Sequence, residues 1–287
     1  MQLAQIIRQA IIGLSSGMTT FLMAAGLSLI MSGMGVINFG QGAFYVLGAY
    51  VCFSVSQAFG FWAGLVAAFI VVGALGFIVE MMLRPLYNKG MLYQMLLTMG
   101  ISYILMDMMS LIWGYTSKVT STPEILKGNV MLLGSKFPKY YLFIIGVAAV
   151  IAIGFFLMFK KTKLGMLFRA IIVDRQMVND LGVNVKLLYS VMFMLGVGLS
   201  AAGGALMSPT NGLTPNMANT AMSSVMTVLI IGGLTSMEGC FFAALIVGVI
   251  NSFGAVLLPQ YYSLIPATLM VLVLLIKPEG LFAKKMN

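Results

Sequence analysis

Residues able to do chemistry are few in this chain, and their placement says more than their number. Its 287 residues include seven Asp and Glu together, two Cys and no His. Without imidazole, the usual near-neutral acid, base and metal ligand is missing. Cys52 and Cys240 both fall inside apolar runs with no CxxC spacing, and read as small hydrophobes. No GxxxxGK[ST] loop is present to cradle a phosphate, so any ATP that drives this chain must be bound by another one. An enzyme working within the membrane would have little to work with. One acid, Asp107, falls near the middle of the apolar run 93–116, where a carboxyl is expensive. It is either a hydrogen-bonded packing residue or part of an ion path, which would suit an ion-coupled secondary transporter. Glu80, four residues before Arg84 near the end of an apolar run, needs only a surface ion pair.

Amides and glycines mark two further places. Gly33 to Gly42 is a glycine-dense stretch in which Asn38 and Gln41 are the amide side chains. It reads as a helix break, and backbone that breaks at membrane depth tends to line a transport path. Asn38 and Gln41, with Gly40 and Gly42, are therefore pathway candidates; an ordinary loop at the membrane surface is the alternative. The second break, at Gly232 and Gly233, runs to Gly239 and is the natural counterpart of the first. A tight helical hairpin with Glu238 facing the cytoplasm accounts for it more readily than a Glu in the pore, and no internal repeat pairs the two breaks.

The most informative polar segment is Thr162 to Val183. Leu164, Leu167, Phe168, Ile171, Val178 and Leu181 recur at helical spacing, while Arg169, Asp174, Arg175 and Asp180 supply a polar side. Gly182 is a C-terminal stop. A short amphipathic helix here suits a docking element that a partner pushes or pulls, or a helix lying on lipid.

These residues are carried by a chain that is 61% hydrophobic and 8% charged, far from the globular mix. Apolar runs of roughly 20 residues recur from end to end, the length that crosses a hydrocarbon layer. The fold class is all-α: a polytopic transmembrane bundle with about eight or nine spans, broken or half helices, and a short cytoplasmic helix. Expected helices run roughly over 7–32, 42–58, 61–83, 93–116, 139–160, 187–208, 218–234, 239–258 and 262–277, with 218–234 short enough to be a half-helix. A strand-built barrel would alternate, whereas Tyr141 to Phe159 is apolar at nearly every position. The first run is too long for a signal-peptide core and is read as retained. One domain, 1–287, is expected, with a cytoplasmic segment over about 161–186 and an external loop over about 117–138. Pairs such as Gly13 with Gly17 and Gly60 with Gly64 suit close helix packing, and the 26 methionines suit gap filling.

The net charge of +9 lies in the gaps between apolar runs and makes no continuous basic face, so nucleic acid is not an expected partner. Lys160, Lys161, Lys163, Arg169, Arg175 and Lys186 form the richest cationic segment, and cation-rich loops stay cytoplasmic. Arg84, Lys89, Lys277, Lys284 and Lys285 fall on the same side by alternation, which puts the C-terminus inside. The loop 117–138 and its edge, with Lys118, Lys127, Lys136 and Lys139, argue the other way and are outweighed.

Four of these segments together resemble the permeases of branched-chain amino-acid (Liv-type) ABC importers, specifically the H-type subunit. Gly35-Val36-Ile37-Asn38-Phe39-Gly40-Gln41-Gly42 is similar to the family's GVINFAHG stretch and is followed by a matching Leu47-Gly48-Ala49-Tyr50. Thr162-Lys163-Leu164-Gly165 with Arg169-Ala170, Asp174 and Leu181-Gly182-Val183 resembles the cytoplasmic TxxGxxxRAxxxDxxxAxxLGI signature. Gly232 to Ser236 resembles GGLGS, and Lys277 to Phe282 resembles RPQGLFG. The resemblance implies half of a translocation pathway for branched-chain amino acids or a related small polar solute in a bacterial cytoplasmic membrane. It also implies an M-type permease partner, two cytoplasmic ATPase subunits that bind the ATP and Mg, an external substrate-binding protein, and no cofactor on this chain. Gly165, Phe168, Arg169, Asp174, Arg175, Leu181 and Gly182 would couple it to the ATPase. Gly40 and Gln41 stand where the family has Ala and His, Glu238 where a Pro or small residue is usual, and Asp107 at a normally uncharged position.

Overall fold

The computed structural model describes residues 3–87, 89–132, 135–277 and 280–281. Pro278, Glu279 and Phe282 of the terminal motif, and the cations Lys284 and Lys285, lie outside the described residues. The helices are α1 (Leu3–Met34), α2 (Gln41–Phe59), α3 (Phe61–Leu83), α4 (Met91–Trp113), α5 (Lys139–Lys161), α6 (Lys163–Val173), α7 (Arg175–Asp180), α8 (Val185–Met207), α9 (Met217–Gly232), α10 (Met237–Leu257) and α11 (Ile265–Ile276). Seven of them, α1 to α5, α8 and α10, are long and apolar enough to cross a membrane. At 1.5 Å per residue each covers the roughly 30 Å of a hydrocarbon layer. The short helix α9 has 16 residues, as its glycine-bounded sequence foretold, and α11 has 12 because a 3-10 turn takes up residues 259–264.

The loop between α4 and α5 holds a small hairpin, β1 (Asn129–Leu132) with β2 (Ser135–Pro138), antiparallel and with Asn129 opposite Pro138. Two strands of four residues are too short to leave an alternating pattern, so the segment reads as plain loop in sequence. Buried Phe137 anchors the hairpin, and Lys139 N–H donates to the Gly128 carbonyl at 3.1 Å.

Helices α8 and α1 form the centre. Of their membrane-crossing spans 78% and 67% is buried, against 22% for α5 and 28% for α4. Small residues let the central backbones touch, which is how helices associate where lipid removes the hydrophobic drive. A Cβ on Gly26 of α1 would strike the Gly196 carbonyl of α8, and one on Gly204 would strike the Tyr45 carbonyl of α2. Helices α2 and α3 cover one side of α8, α10 and α5 lie against α1, and α4 leans on α2. Gly13 and Gly17 meet the α10 backbone and Gly64 meets that of Cys52, as expected of packing glycines. Gly60 differs: it has open space around it and φ of +84°, so it is the turn between α2 and α3.

One end of the bundle gathers the cation-rich segments. There Lys160 Nζ meets Glu238 Oε1 at 2.9 Å, Arg84 Nη2 donates to Ser190 Oγ at 2.8 Å, and Leu281 N–H donates to the Ile231 carbonyl at 2.8 Å. At the opposite end the strand-like pairing of Lys118 with Leu213 ties the α4–α5 loop to the α8–α9 connection.

Candidate functional site

The first glycine break lies deep in the bundle. Gly35, with φ of +68°, ends α1, and α2 begins only at Gln41. Gln41 Nε2 donates to the Gly196 carbonyl at 3.1 Å and to Ser200 Oγ, and lies 3.5 Å from the Met23 carbonyl. Met23 and Gly196 are each about 16 Å from the cation-rich ends of α1 and α8, near the middle of a bilayer. Asn38 Nδ2 donates to Gln41 Oε1 at 2.9 Å, Gly40 N–H donates to Asn38 Oδ1 at 3.0 Å, and Phe39 N–H donates to Thr98 Oγ1 at 3.1 Å. The two amides thus replace the helical bonds that broken backbone would otherwise lack in lipid.

This corrects one expectation. Asn38 and Gln41 are both fully buried within the subunit and engaged with each other and with α1 and α8. They hold the break shut and do not face an open path. Gly40 caps α2, and Gly42 brings α2 against the Ala218 carbonyl of α9. The second break is a hairpin seam. Gly232 packs on the Gly239 and Cys240 backbone, Gly233 turns with φ of +92°, and Gly280 lies against Gly233. Ser236 caps α10 by accepting from Gly239 N–H at 3.0 Å, and Glu238 faces Lys160 at the rim.

A polar stripe that the sequence reading passed over runs along α9. Asn216, Asn219, Thr220 and Ser223 are exposed, with Ser224 half-buried and Thr227 buried behind them. Ser223 Oγ and Ser224 Oγ donate to the carbonyls of Asn219 and Thr220, each at 3.0 Å, leaving their oxygen lone pairs outward. The Asn219 side-chain amide makes no hydrogen bond among the described residues. The stripe is an uncharged surface rich in hydrogen-bond donors and acceptors. Its signal was available: polar residues at i, i+3, i+4, i+7 and i+8 within an apolar run.

Between α5 and α8 the expected single amphipathic helix is two. Asp174 breaks it: its φ is −149°, and its Oδ1 accepts from Gln176 N–H at 2.8 Å and Met177 N–H at 3.0 Å, starting α7 afresh. The elbow is seated from beneath by Phe168, Ile171 and Val178, all buried, while Gly165 rests on the Met158 and Phe159 carbonyls. Phe168 and Gly165 therefore fix the elbow and are out of a partner's reach. Arg169 Nη1 donates to the Phe159 carbonyl and so caps the C-terminus of α5, and Arg175 lies 5.2 Å from the Tyr189 ring centroid. Gly182 stops α7 with φ of +79°. Left facing out are Leu164, Met166, Ile172, Val173, Met177 and Leu181, of which Val173 is 87% exposed. Beside them a concavity of about 1020 Å³ is lined by Asp174, Arg175, Asn179, Asp180 and Lys186 among others.

Glu80 is the second correction. It is fully buried, and no surface pair. Its carboxylate accepts from Arg84 Nε at 3.0 Å, Arg84 Nη2 at 2.9 Å, Tyr87 Oη at 2.8 Å and Ser190 Oγ at 2.7 Å. Burial, then the hydrogen bond and charge of Glu80, push the Tyr87 hydroxyl up, so it stays a donor. Tyr87 packs edge-on against Tyr189 at 5.5 Å, and Tyr189 receives Arg175. A continuous set of contacts thus joins α7 to the α3–α4 corner. Ser190 lies 110 residues from Glu80 in sequence, and no spacing rule reaches that far.

Asp107 does not point into the subunit. It is exposed on α4, away from any internal path, and makes no hydrogen bond or ion pair among the described residues. That leaves ion coupling through this subunit's interior without its carboxylate.

Residues 9–274 match the family model described as branched-chain amino acid transport system / permease component. The chain is 28% identical to the high-affinity branched-chain amino acid transport system permease protein BraD of Pseudomonas aeruginosa, over 97% of this chain and 96% of that one. It is 26% identical to the LivH permease of the corresponding Escherichia coli K12 system, over 99% and 97%. A probable LivH of Methanocaldococcus jannaschii is also 26% identical, over 91% and 87%. Among solved structures, PsaBC from Streptococcus pneumoniae in complex with Fab superposes with a TM-score of 0.53 at 13% identity, covering all of this chain and 97% of that one. At that identity it speaks for the fold alone.

Proposed function

Because the chain belongs to the family of branched-chain amino acid transport permease components, we propose that it forms half of the translocation pathway of an ABC importer in the cytoplasmic membrane. The solute is a branched-chain amino acid or a related small polar molecule. A second, M-type permease completes the pore, an external binding protein delivers the solute, and two cytoplasmic ATPase subunits bind ATP and Mg. The exposed polar stripe of α9 lines the path, and the α6–α7 elbow is what an ATPase subunit grips. The cation-rich end of the bundle, and with it the C-terminus, is cytoplasmic.

The observation that carries this reading is the elbow itself. A pair of short helices, too short to span, is rigidly seated by Phe168, Ile171 and Val178 yet turns six large apolar side chains outward. Unpartnered apolar surface on a membrane protein's polar side marks a protein interface. Nucleotide-dependent movement of the ATPase subunits would be transmitted through the elbow, each nucleotide state favouring one access state of the pore by its differential contacts. Arg169 and Asp174, engaged within the chain, serve the elbow's shape; Val173, Met177 and Leu181 supply the grip.

The test replaces Val173 and Met177 with Ser in the reconstituted assembly. Removing two apolar interface contacts, each worth at most roughly 1.5–3 kcal/mol when fully buried, is expected to lower solute imported per ATP hydrolysed by about tenfold or more. An unchanged ratio with full assembly would reject the elbow as the coupling element.

A further inference from the structure

The outward face of α4 poses a problem that the subunit alone does not solve. Leu96, Tyr103, Ile104, Met108 and Leu111 are exposed along it, Gly100 has open space where a side chain would be, and Asp107 stands among them. Gly100, Tyr103, Ile104, Asp107 and Leu111 stand at positions i, i+3, i+4, i+7 and i+11 and so form one stripe. Helix α4 packs on α2 and otherwise faces outward. A carboxyl facing lipid tails is costly, and such residues face protein or water instead.

Water fits this face poorly. A water-lined helix is polar along its length, as α9 is at Asn216, Asn219, Thr220 and Ser223. On α4 one acid interrupts an otherwise apolar stripe. That combination is how helices associate within a membrane: a small residue permits close approach, and a polar side chain bonds across the contact. Gly100 provides the first and Asp107 the second, one heptad apart.

We propose that this stripe of α4 seats a transmembrane helix of the second permease subunit, and that this helix presents an amide, hydroxyl or cationic donor to Asp107. The inference rests on the importer reading above and adds which surface builds the pore's subunit contact. Asp107 is then a partner-selecting residue, since a helix without a donor leaves its carboxyl unpaired in a low-dielectric contact.

Photo-crosslinking in the complete, membrane-reconstituted assembly tests it. Benzoylphenylalanine is placed at Ile104 on the stripe, or at Val150, 70% exposed on α5, as the control surface. The expected result is an adduct with the second permease from position 104 and none from position 150, identified by mass. Asp107→Leu is expected to weaken retention of the second permease about three- to twentyfold, and Asp107→Asn, which keeps an acceptor oxygen, about twofold or less. Since Asp107 is exposed within its own subunit, both variants keep the melting behaviour of the isolated chain. Adducts from position 104 with lipid alone or with a second copy of this chain would overturn the proposal. So would an Asp107→Leu assembly that retains the second permease as tightly as wild type. Absence of any second permease from the wild-type assembly would instead reject the importer reading, and this proposal with it.

Discussion

The two best-defined ion pairs of this protein look alike as distances and should behave very differently when cut. Glu80–Arg84 and Glu238–Lys160 both close at 2.9 Å. In the first, the Glu80 side chain is fully buried and Arg84 is 32% exposed; in the second the side chains are 56% and 62% exposed. Removing one partner of a buried pair costs roughly 3–5 kcal/mol, because the other charge is left without compensation. Arg84 retains some access to water, so Glu80→Gln is expected at or just below the bottom of that range, about 2–3 kcal/mol. The variant also turns an acceptor into an amino group facing Arg84 and Ser190, which removes the relief a neutral isostere would otherwise bring. Glu238→Gln breaks a solvated pair and is expected to cost roughly 0–1 kcal/mol. The assay is unfolding of the purified protein in mixed micelles of increasing SDS fraction, read by tryptophan fluorescence with both variants under one protocol. A double cycle of Glu80→Gln with Ser190→Ala should show coupling of about 1 kcal/mol, since the two share one hydrogen bond. If Glu80→Gln stays within about 0.5 kcal/mol of Glu238→Gln, depth of burial does not govern these pairs and the reasoning fails.

Other consequences are equally direct. Asn219→Leu with Ser223→Leu should lower solute uptake about five- to tenfold, roughly one hydrogen bond's worth, while basal ATP hydrolysis by the assembly is unchanged; equal uptake would remove α9 from the path. Asp174→Ala should cost about 1 kcal/mol as a lost cap and speed amide exchange over residues 175–180, whereas Asp174→Ser should restore protection. Gly204→Ala forces a methyl into the Tyr45 carbonyl and should destabilise by about 1–3 kcal/mol or more. Gly154→Ala, on α5 with nothing within 4 Å, should leave the apparent melting temperature unchanged or raise it, since alanine is the better helix former.

What the sequence determined by itself was the solvent and the list of parts. Apolar runs of membrane-crossing length can be satisfied only as helices in lipid, so all nine expected segments reappear as helices, and Gly13 with Gly17 packs as local chemistry requires. Four local motifs in order were also enough to point to the family, since each constrains only a short stretch of backbone. What tertiary structure decided was which way each polar side chain faces. Asn38 and Gln41 looked like pathway residues because amides are rare in lipid; packing of α1, α2 and α8 made them the internal bonds of a broken helix. Glu80 looked superficial beside Arg84 until Ser190 and Tyr87 closed over it. Asp107 looked interior because its run is apolar throughout, yet α4 lies at the edge of the bundle and turns it outward. A one-dimensional pattern records period and composition; a helix in lipid has apolar surroundings on every side, so its inward and outward faces differ little in sequence and are told apart only by the helices that pack against it.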